Sequence, residues 1–578
     1  MQQANIVIFD AQSRKWLRFT NPKRVIQTNS LSEVVSCLEE TEEEIRRFGV
    51  HAVGFVSYEA APAFDNALET HQTVDFPLLW FGIFDTCAEI SLPPQPSTIR
   101  NLHCKPTISK SAYVDSIAAI KDEIREGNTY QVNHTFRLSC NEQVDPWELF
   151  LQMTETQQAD YGAFLNIGEF AICSASPELF FRLEKGNLVS RPMKGTAPRG
   201  RFPEEDLEKS EWLLHSEKNR AENVMIVDMI RNDMSRVALP GSVHTPRLFS
   251  IEKYPTVWQM TSLVEAQTNG SVTDIFKAMF PCASVTGAPK ASTMRIIRNL
   301  ETSPRKIYTG AIGFIAPEGI AQFNVAIRTA LWEKEKNGFE YGVGGGVVWQ
   351  SDAETEYEEC MVKSRVLTEQ RPSFSLVETI LYEPERGYFL EEAHLGRLAE
   401  SAEYFDFTLD LDTVRNTLKN AALSFPTHAV RVRLLLERNG VITIEHTAFY
   451  VNREEPIRLR FAKEPINSDD VFLFHKTTNR AVYERALSMV QDCDDVLLWN
   501  EHGEITETTI YNVVVEKGEA RWTPALPGGL LGGVFRSQLI REGLIQERVL
   551  TKDDVRNADR LFVINSVRKW REARLLDK

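Results

Sequence analysis

The strongest constraint on how this chain folds is a seam two thirds of the way along it. Ala353 to Val366 reads as a helix and Phe374 to Leu381 as a strand, with Thr368-Glu369-Gln370-Arg371-Pro372-Ser373 between them. A chain of 578 residues is too long for one hydrophobic core. The seam therefore divides it into a domain of residues 1–369 and a second of residues 374–578. A lesser seam, Ser91-Leu92-Pro93-Pro94-Gln95-Pro96-Ser97, suits a long loop within the first domain.

Composition narrows the function classes. Hydrophobic residues at 43% and charged residues at 25% are ordinary for a soluble globular protein. The net charge of -16 and the absence of a dense Lys/Arg block argue against a nucleic-acid or anionic-membrane partner. The eight cysteines stand singly with no Cys-x-x-Cys pair, so neither a zinc ribbon nor a disulfide framework is indicated. The first ten residues lack a signal-peptide pattern, and no apolar stretch is long enough to span a bilayer. A cytoplasmic setting is expected.

The first domain alternates helix-like and strand-like segments. Ser111 to Glu126 carries Ile117, Ile120 and Ile124 on one stripe and stops at Gly127. A strand over Tyr130–Leu138 follows, and Ser216 to Val237 reads as a second helix. Late strands are expected over 310–316, 320–332 and 339–349. The fold class is α+β with large sheets.

Glu356, Glu359 and Lys363 are spaced three and then four residues apart, which puts them on one helical face. Glu222 belongs to the other helix, among half-buried neighbours. Carboxylates from two helices can chelate Mg2+, and Lys363 can neutralise a substrate carboxylate. The same spacing also suits a solvated helix laced with salt bridges. Gly342-Val343-Gly344-Gly345-Gly346-Val347 is no dinucleotide fingerprint, because the third glycine and the following helix are missing. Its N–H groups can still face an anion, and a tight turn or bulge serves equally well.

Seven motifs occur in a fixed order: Ser176-Pro177-Glu178, Pro192-Met193-Lys194-Gly195-Thr196, Arg231-Asn232-Asp233, Thr286 to Lys290, Tyr308 to Gly313, Ala326 to Thr329 and Glu356 to Lys363. Together they resemble the chorismate-binding family, over roughly Ser111 to Thr368. The resemblance implies a large α/β sandwich domain acting on chorismate with Mg2+. Isochorismate-forming members carry a lysine base where Gln131 stands, and glutamine cannot activate water. Aminodeoxychorismate synthases, unlike most anthranilate synthases, carry a lysine at position 194. There it is thought to attack ring carbon C2 while the C4 hydroxyl leaves and ammonia enters. Such an attack needs a lowered lysine pKa, for which burial near Mg2+ would serve. The resemblance further implies Lys194 and Glu178 as catalytic residues. Gln131, Thr196, Tyr308, Arg328, Lys363 and the backbone of Gly344 and Gly345 would hold substrate. Glu222, Glu359 and Glu356 would hold Mg2+. Gln259 departs from the histidine of many relatives. No segment looks like a glutamine amidotransferase, so ammonia comes from solution or from a separate glutaminase subunit.

In the second domain Lys476 precedes Asn479-Arg480, Glu507 opens Glu507-Thr508-Thr509-Ile510-Tyr511-Asn512, and Leu531-Gly532-Gly533-Val534 reads as a loop entering a helix. Pyridoxal phosphate needs an aldehyde-binding lysine, an acid at its ring nitrogen and an anion cradle. Free N–H groups at a helix start supply the last. Over Phe374 to Leu576 this resembles the fold type IV, or class IV, aminotransferase family, and within it the aminodeoxychorismate lyases. The resemblance implies Lys476 as the cofactor lysine and catalytic base, with Glu507 at the ring nitrogen. Arg397, Gly533, Val534, Thr508 and Thr509 would hold the phosphate, and Asn565-Ser566 suits either a site wall or a turn. Val514 replaces an expected aromatic residue, and the family's first strands are missing before Phe374. Relatives of this domain usually pair, so a homodimer through it is expected.

The product implied for the first domain is the substrate implied for the second. The combined expectation is conversion of chorismate and ammonia to 4-aminobenzoate and pyruvate, feeding folate synthesis. Alternatives remain: an amination or anthranilate synthase-like domain fused to a class IV amino-acid transaminase, or a regulatory protein with one inert site.

Overall fold

The computed structural model describes residues 4–73, 75–93, 102–336, 338–367, 372–450 and 455–576. Most of the two expected seams, 94–97 and 368–371, lies outside these residues. The chain forms two units. The first comprises residues 1–199 and 209–371. The second comprises Pro372–Lys578 together with Gly200–Glu208, a stretch the sequence pattern leaves in the first domain. Within that second unit the Phe202 ring packs against Phe474 at 5.2 Å, and Arg201 donates to the Ser468 carbonyl at 3.1 Å.

Two ten-stranded sheets build the first unit. A core containing Ile6, Ile8, Leu165 and Ile172 of one sheet and Val53, Phe55, Ile312 and Phe314 of the other fills the space between them. Outside one sheet lie the helices Leu31–Phe48, Glu217–Ser235 and Val272–Met279. Outside the other lie Lys110–Arg125, Pro146–Gln157, Lys290–Leu300 and Ala353–Ser364. The result is a helix–sheet–sheet–helix sandwich. Neighbouring strands within one sheet leave no room for a side chain at Gly313, where a Cβ would sit 2.0 Å from the Gln322 carbonyl of the paired strand.

The helix expected from Ser111 runs Lys110–Arg125, capped by Ser109, and Gly127 follows it at φ 80°. The single strand expected over 320–332 is in fact two. Ile320–Val325 belongs to one sheet and Thr329–Glu333 to the other, with Ala326-Ile327-Arg328 crossing between them. Hydrophobic patterning is the same on both sides of such a crossing, so only sheet membership reveals it. The glycine run 342–346 is neither a turn nor a bulge. It lies in the strand Gly338–Val347, with Gly344, Gly345 and Gly346 opposite Thr135, His134 and Asn133. One cysteine pairing is unannounced by spacing: Cys104 and Cys140 form a disulfide beside the neighbouring Lys105–Ser139 strand pair.

In the second unit a four-stranded sheet, with Leu376–Glu383 inside it, accompanies an eight-stranded one. Six strands of the larger sheet close on themselves, because Ile505–Thr508 pairs with both Asp495–Trp499 and Asn512–Lys517. The closing pair is Glu507 opposite Asn512.

Gly313→Ala is expected to destabilise the chain by about 3 kcal/mol, since both obstacles to its Cβ belong to the opposing strand. A thermal midpoint equal to that of the wild type would contradict this sheet packing.

Candidate active sites

Two of the first unit's motifs lie where the chain crosses between sheets. Ser176-Pro177-Glu178 joins the strand Phe170–Ser176 of one sheet to Leu179–Glu184 of the other. Ala326 to Arg328 makes the return crossing. The two crossings are stapled together. Ser176 Oγ donates to the Val325 carbonyl at 2.6 Å, Val325 N–H to the Glu178 carbonyl at 3.0 Å, and Ala175 N–H to the Arg328 carbonyl at 3.0 Å. Arg328 sits at φ 50° and Thr309 at φ 62°, left-handed conformations that cost free energy in non-glycine residues. Such outliers are typical of functional sites.

Lys194 lies in the edge strand Met193–Pro198, and its ammonium meets the Glu222 carboxylate at 3.1 Å. Asn223, the next residue on that helix, donates to the Lys194 carbonyl at 3.2 Å and accepts from Ser262 at 2.6 Å. This fixes helix to strand and brings Glu222 against Lys194. From the other sheet, Gly346 approaches so closely that a Cβ there would lie 2.4 Å from Gln131 Nε2 and 2.7 Å from Lys194 Nζ. Gln131 is itself positioned by the Gly287–Ala288 strand opposite it, where a side chain at Gly287 would strike the Gln131 carbonyl. Lys290 holds that segment, donating to Asp233 at 2.7 Å and to the carbonyls of Met279 and Pro281. The Arg231–Asp233 and Thr286–Lys290 motifs thus support the site from behind.

Glu178 is buried, and burial pushes its carboxyl up to about 7. Its Oε1, like Gln131 Oε1, has no hydrogen-bond partner. Tyr308 is buried with its hydroxyl pushed up to about 12, and the Arg137 guanidinium stands 5.0 Å from its ring. Thr196 Oγ1 donates to Gln259 Oε1 at 3.0 Å, while Gln259 Nε2 donates to the Gly195 carbonyl at 2.7 Å. Gln259 therefore clamps the two residues after Lys194. Arg328 donates to Gln157 Oε1.

The three carboxylates named for a divalent cation are not gathered into a ligand cluster. Among the described residues no three His, Cys, Asp or Glu side chains converge so as to hold a metal ion. Each carboxylate meets a different neighbour: Glu222 meets Lys194, Glu359 meets Lys363 at 2.7 Å, and Glu356 accepts from the Ser351 hydroxyl at 2.6 Å. Lys363 also donates to the Gly344 carbonyl at 2.9 Å. The Glu356 carboxyl is raised by burial, with the Glu359 charge adding to the effect.

In the second unit the Lys476 ammonium has no hydrogen-bond partner among the described residues. Burial, with the Arg397 charge second, lowers its pKa to about 8. Glu507 is buried and pushed up to about 7 by burial. It accepts from Tyr483 O–H at 2.7 Å, Leu531 N–H at 3.1 Å and Asn512 Nδ2 at 3.3 Å. Gly533 is the N-cap of the helix Val534–Arg541 and offers no side-chain cap. A Cβ on it would lie 2.0 Å from Asn512 Oδ1, so only glycine fits between that side chain and the helix start. Arg397 donates twice to Glu378 and once to the Gly532 carbonyl at 3.3 Å. Thr509 directs both its N–H and its hydroxyl to Asp495, and Thr508 Oγ1 accepts from Tyr511 N–H at 3.1 Å. Both hydroxyls are committed to the turn. Asn565 Oδ1 likewise accepts from the N–H groups of Val567 and Arg568, closing a turn. Asn223, Tyr483 and Glu378 escape sequence reasoning. Asn223 carries a weak signal in adjoining Glu222, whereas Tyr483 and Glu378 reach their sites only through folding.

The paired-sheet sandwich of the first unit has a counterpart of known structure. The chain superposes on anthranilate synthase component I from Streptococcus pneumoniae with TM-score 0.52 and 23% identity, over 64% of this chain and 91% of that one. Residues 4–369, well over half of the chain, match the chorismate binding enzyme family, and the chain belongs to it. Residues 375–576 match amino-transferase class IV. The chain is 40% identical to a probable aminodeoxychorismate synthase, chloroplastic, of Oryza sativa, over 45% of this chain and 30% of that protein. It is 38% identical to aminodeoxychorismate synthase component 1 of Salmonella typhimurium, over 45% of this chain and 58% of that protein. The chain thus spans less than two thirds of the length of these relatives.

Two expectations follow from the geometry. Gly346→Ala should change stability little, because its obstacles are the mobile ends of side chains, yet displace Lys194 and lower turnover at the first site by ~100-fold. Separately, Glu178 and Glu507 are raised from 4.5 to about 7. Each folded carboxyl keeps a proton the unfolded chain has released, so its stabilising contribution is full below pH 4.5 and is lost as pH rises through 7. Melting curves of the cofactor-free chain should therefore fall between about pH 5 and about pH 7.5, and Glu178→Gln and Glu507→Gln should each flatten that fall.

Proposed function

We propose that the chain carries out two successive reactions, amination of chorismate to 4-amino-4-deoxychorismate and elimination of pyruvate to give 4-aminobenzoate, a folate precursor. The observation that carries this reading is the Lys194 amine held at the sheet crossings beside buried Glu178 and the uncharged Gln131 amide. An amide cannot activate water, whereas an amine can bond to carbon. The relatives at 38–40% identity carry the names of aminodeoxychorismate synthases.

In the first reaction Lys194 passes a proton to its partner Glu222, the neutral Nζ bonds to ring carbon C2, the double bond shifts, and the C4 hydroxyl leaves as water. Glu178, poised at about 7, supplies the proton that this departure needs. Ammonia then bonds at C4, the electrons return and Lys194 is released. Thr196, Tyr308, Arg328, Lys363 and the strand at Gly344 and Gly345 orient the ring and its carboxylates. Hard oxygen donors at Glu222, Glu359 and Glu356 suit Mg2+ chemically. A cation there would replace Lys194 and Lys363 as the partners of Glu222 and Glu359. Bound there, Mg2+ would neutralise substrate carboxylate charge.

At the second site Lys476, Glu507, Arg397 and the Gly533–Val534 turn fit pyridoxal phosphate by donor chemistry. The lysine is unpaired and near neutrality, the acid is buried, and the helix start is uncapped. When bound, the cofactor would act as an electron sink. Lys476 would remove the proton at the amine-bearing carbon and return one to the departing enolpyruvyl group, leaving an aromatic ring. Thr508 and Thr509 shape this site through the turn they hold. Ammonia would come from a separate glutamine amidotransferase subunit, and the second unit would pair with a second copy. Among the described residues no helix is long and apolar enough to cross a membrane, which accords with a cytoplasmic enzyme.

Purified chain mixed with chorismate, ammonium, Mg2+ and pyridoxal phosphate should form 4-aminobenzoate and pyruvate. Lys476→Ala should stop at aminodeoxychorismate, and Lys194→Ala should consume no chorismate. Formation of anthranilate or isochorismate would refute the first reaction. Keto-acid-dependent amino transfer, with aminodeoxychorismate accumulating, would replace the second by a transaminase.

A further inference from the structure

Glu378 lies in the strand Leu376–Glu383 and is 1% exposed. Its carboxylate accepts three hydrogen bonds: Arg397 Nε at 2.9 Å, Arg397 Nη2 at 2.7 Å and His394 Nδ1 at 2.6 Å. Burial would raise its pKa, but the Arg397 and His394 partners override burial and hold it at about 2. A buried ion pair is a weak source of stability, because desolvation offsets the attraction. Its two-point fork does fix the plane of a guanidinium. Of the five N–H donors of Arg397, two are on Glu378 and one is on the Gly532 carbonyl. The remaining two, one on Nη1 and one on Nη2, have no hydrogen-bond partner among the described residues. Gly532 immediately precedes Gly533, the N-cap of Val534–Arg541, whose first-turn N–H groups meet no capping side chain. His394 Nε2 is buried there without a hydrogen-bond partner.

We propose that Glu378 is a positioning residue that, with His394, aims the two remaining N–H groups of Arg397 at a phosphate monoester seated on the Gly533–Val534 turn. The proposal rests on the pyridoxal phosphate reading of the second site. It differs from a merely structural ion pair in one respect: Glu378 discriminates phosphorylated from unphosphorylated pyridoxal.

The test uses the full chain freed of cofactor and measures dissociation constants for pyridoxal phosphate and for pyridoxal by fluorescence quenching. Glu378→Gln should weaken pyridoxal phosphate binding by ~10–100-fold, the scale of a lost charge-assisted hydrogen-bond pair, and leave pyridoxal within about twofold. Glu378→Asp keeps the charge but shortens the fork. It should give a partial loss, and it serves if the glutamine variant does not fold. An unchanged ratio of the two affinities in either variant overturns the proposal, whatever happens to thermal stability. If the wild-type chain binds neither compound and Lys476→Ala behaves identically, the second-site reading falls and this inference with it.

Discussion

The first site depends on two strand-to-strand crossings being held side by side. Both sheets of the sandwich contribute strands that leave one sheet and join the other, at Ser176–Glu178 and at Ala326–Arg328. Three short hydrogen bonds among Ser176, Val325, Glu178, Ala175 and Arg328 lock the crossings together. A crossing necessarily interrupts the ladder, so its backbone groups must find partners outside regular pairing. Here each crossing supplies them to the other. The side chains of Glu178 and Arg328 are thereby set by backbone that has little freedom to move, and the left-handed turn at Arg328 is tolerated.

Around that frame the chemistry of both sites follows one electrostatic pattern. The chain is acidic overall, at -16, yet each site sets a lysine close to a buried carboxyl that burial has pushed up to about 7. Low local dielectric disfavours charge, so an acid is kept near neutrality at the working pH. The partners differ between the sites. Lys194 is paired with Glu222 across a strand–helix contact, whereas burial, with the Arg397 charge second, lowers the basicity of Lys476. Paired carboxylates at the first site suit a charged substrate that competes for the lysines. The unpaired amine at the second suits an aldehyde.

Much of this was legible in the linear chain. The two-unit organisation follows from length, and helices such as Lys110–Arg125 announce themselves by apolar spacing and a terminal glycine. The ordered motifs carry the resemblance to the chorismate-binding family, and geometry demands one of their glycines, since a Cβ on Gly287 would lie 2.0 Å from the Gln131 carbonyl. Other features were hidden. The break in 320–332 is invisible because both halves are equally apolar. The second unit's claim on Gly200–Glu208 rests on long-range packing of Phe202. Asp233 and Lys290, which the sequence shows only as members of two motifs, meet in an ion pair that braces one segment against another.

Residue type and local order by themselves determined the chorismate-binding family and singled out as candidates the two lysines, the acids at Glu178 and Glu507, and the glycines near them. Those choices are dictated by chemistry and by sterics within a few residues. Only the tertiary structure decided which partner each charged group meets: Glu222 with Lys194, Glu359 with Lys363, Arg397 with Glu378. Ion pairing and burial depend on atoms brought together from distant parts of the chain. Whether a carboxylate is free to take a cation or already holds a lysine is therefore settled by packing, not by spacing along a helix.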